Sequence, residues 1–134
     1  MTNLKFKFKW IIHKKIGTSN NHDKTQTTGI TVSAYYKVHP DDRQIFIDAV
    51  IPEMIAANEL EGCIYYAFSQ DLTDENTFHL LEGWKDEEAY ERHENSETFL
   101  KALSTVVKNV RILDREGVRY DVAKIHIDDP RGKV

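Results

Sequence analysis

Five side chains in this sequence have the types to line a pocket that does proton chemistry on a flat ligand: Tyr36, Tyr66, Glu82, Trp84 and His93. His93 is the base by type, because an imidazole with an unperturbed pKa near ~6.5 takes and returns a proton at neutral pH. Trp84, Tyr66 and Tyr36 offer flat faces on which a ring can lie. Glu82 can orient His93 or accept a hydrogen bond from a substrate hydroxyl. Each has a bland reading too. A Trp closing a strand under a helix is ordinary core. His93 can bond a backbone carbonyl or cap a helix at Ser96, and tyrosines in strands suit sheet packing or a subunit interface.

The elements that must position these residues are legible from period and punctuation. Glu82 and Trp84 are two apart in "TFHLLEGW", so as strand residues they share one sheet face. His93 follows in "DEEAYERHEN", an acidic helix with Asp86 at its N-cap, about two turns in and able to return over that face. Ser96 caps a further helix in which Phe99, Leu103, Val106 and Val107 keep helical spacing. "ITVSAYYKV" and "CIYYAFSQD" are strands, the second joined to "TFHLLEGW" by the polar loop "LTDEN". Between the first two, "HPDD" opens a helix whose apolar side collects Phe46, Ile47, Val50, Ile51, Met54 and Ala57, interrupted by Pro52 and ended at Gly62. "GVRYDVAKIHI" reads as the last strand. Ahead of all this, Leu4–Ile12 alternates apolar residues with Lys, an extra basic strand. A polar linker follows, so residues 1–28 form an extension and 29–134 the domain.

The order β-α-β-β-α-β is the ferredoxin-like plan of the α+β class, an antiparallel sheet with helices on one face. Its other face needs a cover. Strands this aromatic predict that two sheets pair, giving a homodimer and a dimeric α+β barrel. Residues 1–28 carry +5, from six Lys against Asp23, and the remainder −9. An acidic body argues against nucleic-acid binding. The basic extension suits a sheet edge better than an anionic membrane surface. One cysteine, Cys63, rules out an internal disulfide and a Cys-rich zinc site, and fits the cytoplasm. The N-terminus is a poor secretory signal, and no apolar run is long enough to span a bilayer. No Ser-His-Asp order or glycine-rich phosphate loop is present.

"EGCIYYAFSQD" followed by "FHLLEGWKDEEAYERHENSETF" resembles the antibiotic biosynthesis monooxygenase family, above all its small quinol monooxygenases. The resemblance rests on Glu61-Gly62-Cys63, Tyr66, Glu82-x-Trp84 and His93 nine residues after that Trp, and it covers about residues 30–113. It implies a dimeric α+β barrel that oxidises an electron-rich aromatic or quinol with dioxygen and holds no tightly bound cofactor or metal. The haem-degrading branch would carry Asn on the first strand, Trp where His93 stands and an axial His where Leu103 stands, so it does not fit. Two alternatives remain. One is a non-enzymatic barrel binding a small hydrophobic ligand. The other is a sugar-phosphate isomerase, for which Lys108, Arg111 and Arg115 are the nearby basic cluster.

Overall fold

Alternation sets the sheet. In Ile30–Val38 (β2) every second residue is buried, Ile30, Val32, Ala34, Tyr36 and Val38, so the strand turns one face to the helices and the other outward. The computed structural model describes residues 27–129 and, as backbone alone, the strand Ile12–Lys15 (β1). A single 3-10 turn, Pro40–Asp42, leads into helix α1, Arg43–Asn58. Strands Cys63–Gln70 (β3) and Thr77–Trp84 (β4) form the hairpin. Helices Glu87–Glu94 (α2) and Glu97–Asn109 (α3) follow, and Ile112–Asp121 (β5) closes the fold. The sheet order is β1-β5-β2-β4-β3; β5, β2, β4 and β3 run antiparallel to one another in turn, and β1 lies parallel to β5. This is the ferredoxin-like arrangement.

The helix boundaries follow from their caps. The Asp86 carboxylate accepts from the Ala89 amide at 2.9 Å, and Ser96 Oγ accepts from the Phe99 amide at 3.3 Å. Gly62 turns the chain at φ +87°, and a Cβ there would lie 2.5 Å from Ala89 Cβ, so α2 packs where only glycine fits. At the other end of the sheet, Asp42 accepts from the Arg111 backbone amide at 2.8 Å and from its Nε at 2.9 Å, tying the start of α1 to the start of β5.

Two expectations change. The last strand runs Ile112–Asp121 rather than from Gly117 to Ile127, because it is as long as its partner: Val38 faces Ile112 and Ile30 faces Asp121. Beyond Asp121 there is no β2 left to pair with. On α1, Ile51 is 42% exposed, whereas Glu53 takes a place in the buried stripe with Phe46, Val50 and Ala57. As expected, Pro52 lies within one helix, α1, which runs on to Asn58. The predicted strand Leu4–Ile12 lies, apart from Ile12, outside the described residues. The strand that is described, Ile12–Lys15, lies parallel to β5 with Ile12 opposite Val118.

Candidate functional site

Between the helix-facing side of the sheet and the three helices lies a cavity of about 60 Å³, room for several water molecules. Tyr36 from β2, Tyr66 from β3, Glu82 from β4 and His93 from α2 all line it. Four of the five candidate residues thus meet at one space. Trp84 stands one layer back. Its ring stacks on His93 with centroids 4.8 Å apart at 22°, and its Nε1 donates to Glu82 Oε1 at 2.8 Å. The reason is the strand period: Glu82 and Trp84 share a face, and the register sets Tyr66 opposite Glu82.

His93 is 2% exposed and enclosed by rings, with Phe99 at 4.6 Å and Tyr66 at 5.0 Å in addition to Trp84. Its two nitrogens each face a carboxylate. Nδ1 lies 3.9 Å from Glu53 Oε2, and Nε2 lies 4.0 Å from Glu82 Oε1. Both separations exceed a hydrogen bond, so the imidazole is bracketed rather than bonded. Glu53 Oε1 accepts from the Tyr66 hydroxyl at 2.9 Å, while Glu53 Oε2 and His93 Nδ1 have no hydrogen-bond partner among the described residues.

Burial decides the charges. It pushes the Glu82 carboxyl up to about 8, with the Trp84 hydrogen bond opposing and the neighbouring charge of Glu53 adding to the rise. It pushes Glu53 up to about 7 against the opposing Tyr66 hydrogen bond. The same desolvation lowers His93 to about 4, so at neutral pH the ring is an uncharged acceptor between two carboxyls that hold protons unusually tightly. Tyr66, held well above its ordinary value by burial, keeps its proton and donates a hydrogen bond to Glu53 Oε1.

Composition alone did not reveal Glu53 or the separate position of Arg115. Glu53 has a visible signal in hindsight, its seven-residue spacing from Phe46 on the stripe that packs inward. Arg115 lines the same cavity, with its guanidinium 5.0 Å above the Tyr36 ring and Nη2 donating to the Tyr36 hydroxyl at 3.4 Å. The basic cluster is therefore divided, since Arg111 bonds Asp42 at the far end of β5. Glu53, Glu82 and His93 do not converge on a metal, and among the described residues no group of three or more His, Cys, Asp or Glu side chains does. Cys63 is a half-buried free thiol, pushed up to about 11 by burial and so not a thiolate.

A ferredoxin-like sheet whose helices enclose a small cavity lined by carboxyls and an imidazole defines a class of compact α+β proteins. The family model described as antibiotic biosynthesis monooxygenase matches residues 29–104, more than half of the chain, and the chain belongs to that family. It is 34% identical over 70 residues to the "Putative monooxygenase YcnE" of Bacillus subtilis, spanning 52% of this chain and 74% of that one. A conserved protein from Methanosarcina mazei Go1 superposes with a TM-score of 0.64 at 26% identity, over 70% of this chain and 92% of that one. A structure titled "Putative antibiotic biosynthesis monooxygenase from Nitrosomonas europaea" does so at 0.64 and 21% identity, over 69% and 97%.

Proposed function

We propose that this protein is a homodimeric monooxygenase that oxidises a small electron-rich phenol, quinol or anthrone with dioxygen, using no tightly bound cofactor. The observation that carries the reading is the uncharged His93 at the cavity wall, its nitrogens aimed at Glu53 and Glu82. Such a substrate gives electrons to dioxygen once it is deprotonated. The protein's task is then to take the proton, hold the ring, steady the anion and keep out bulk water. His93 receives the proton, and Glu82, held by Trp84, fixes the side of the imidazole that meets the substrate hydroxyl. Tyr36 and Tyr66 border the ring, and Arg115 supplies the positive charge at the cavity wall against which an oxyanion settles. One oxygen atom stays in the organic product and the other leaves as water, with the substrate supplying all four electrons.

The test is oxygen uptake by the purified protein with a panel of reduced naphthoquinols and anthrones, alongside His93→Gln. Uptake above autoxidation that falls by ~10²-fold or more in the folded variant is the expected result. No uptake across the panel, with saturable binding of the same compounds, would instead favour a ligand-binding role.

A further inference from the structure

A second space lies outside the cavity, a groove of about 400 Å³ between α1 and α3, bordered by Asp48, Pro52, Lys101 and Thr105. Glu53 and Ala102 line both the groove and the inner cavity, so together they form the wall between them. Glu53 is therefore placed between His93 and solvent, with each carboxyl oxygen given a different task. Oε1 is fixed by the Tyr66 hydroxyl, and Oε2 faces His93 Nδ1 at 3.9 Å with neither atom otherwise hydrogen-bonded among the described residues.

We propose that Glu53 is a positioning residue that acts through His93: it holds the imidazole's second proton during turnover and equilibrates that proton with water in the α1–α3 groove. The inference rests on the base role given to His93 above. As the substrate O–H gives its proton to Nε2, Glu53 Oε2 closes from 3.9 Å to hydrogen-bond distance and takes the proton on Nδ1. An ionised Glu53 and a neutral hydroxyl become a neutral carboxyl and a substrate anion. The cavity carries the same net charge before and after, and no imidazolium persists in a site that burial makes hostile to one. The return transfer supplies the proton for the water that leaves. Glu53 suits the task because desolvation places its titration near neutral pH. The titratable groups that face it are Tyr36 from β2, Cys63 and Tyr66 from β3, Glu82 from β4 and His93 from α2, with Glu94 of α2 on the same cavity. Asp48 and Lys101 stand on the groove side from α1 and α3, and Arg115 from β5 stands on the cavity side.

The experiment follows hydrogen exchange of the His93 ring N–H in protein labelled with nitrogen-15 histidine, between pH 5 and 9, in wild type, Glu53→Gln and Glu53→Asp. The expected wild-type rate changes with a midpoint near 7, the value to which Glu53 is pushed. Glu53→Gln slows exchange at least tenfold and removes the midpoint, while Glu53→Asp, which keeps the carboxyl, restores part of the rate. A wild-type rate without that midpoint overturns the proposal, as does equal slowing in both variants. The wild-type profile decides the matter even if Glu53→Gln fails to fold. None of these readouts needs turnover, so absence of oxygen uptake would sink the monooxygenase reading and leave this one to stand or fall by itself. Where uptake is found, Glu53→Gln lowers kcat and abolishes its pH dependence near 7.

Discussion

His93 and its two carboxylates make stability depend on pH in a direction opposite to that of a salt-bridged protein. Glu53 and Glu82 are raised from 4.5 to about 7 and about 8, so the folded state holds protons that the unfolded chain has already released. Their favourable contribution is complete below the unfolded value and is lost as pH rises through the folded ones. His93, lowered from 6.5 to about 4, acts oppositely, adding stability as pH rises between those two values. Above 6.5 the histidine contribution is complete and only the carboxyls remain. Stability should therefore fall between pH 6.5 and about 8, by up to ~1.4 kcal/mol per pH unit for each group. Urea unfolding across that range should show the fall in wild type and about a third of it in Glu82→Gln, because Glu53 titrates lower than Glu82. A curve that is flat above pH 6.5 would mean that the carboxyls are solvated. At this scale much of the site was legible. The spacing of Glu82 and His93 pointed to one face, and both line the cavity, together with Tyr66 and Tyr36. Glu53 was not read, because a carboxylate beside Pro52 is an exposed residue by every compositional rule. Only the inward stripe from Phe46 through Val50 to Ala57 shows otherwise.

Helix α3 is tied to the end of α2 by a cap at Ser96. Ser96 Oγ accepts from the Phe99 amide at 3.3 Å and donates to the His93 carbonyl at 2.8 Å, joining the end of α2 to the first turn of α3. Phe99 is the ring that closes the cavity against His93. Ser96→Ala should cost ~1 kcal/mol of stability, measured by urea unfolding. It should also loosen Phe99, read as altered ring shifts of His93 in the nuclear magnetic resonance spectrum. A destabilised variant whose His93 shifts are unchanged would confine the cap to helix stability. Caps, hairpin and β2 were readable because each has a local chemical cause: a side-chain acceptor at a helix start, a polar loop, strict alternation. The length of β5 was not, since Asp114, Arg115 and Glu116 break any apolar alternation there and the strand is set instead by its pairing with β2.

At the scale of the molecule, the outward face of the sheet bears on the homodimer proposed above. Leu81 is 51% exposed in the middle of β4, with Ser33 and Ala67 as its cross-strand neighbours and Tyr35 and Tyr65 half-buried on the same face. A second copy of the chain is the partner we propose for that patch. Leu81→Lys should then shift the protein toward monomer in sedimentation velocity without unfolding it. A wild-type protein that is monomeric at micromolar concentration would sink the idea. The β-α-β-β-α-β order was legible because each connection is short and punctuated, whereas the α1–α3 groove was not, since it arises only where two helices distant in sequence meet. That groove carries one consequence for how such a protein could diverge. On the proposal above, Glu53 is at once part of the partition and the acid, so a substitution at position 53 alters both. Ala102 shares the partition and carries no ionisable group. A lineage can therefore widen or narrow the passage at position 102 while the chemistry is inherited intact, whereas any drift at position 53 changes both at a stroke.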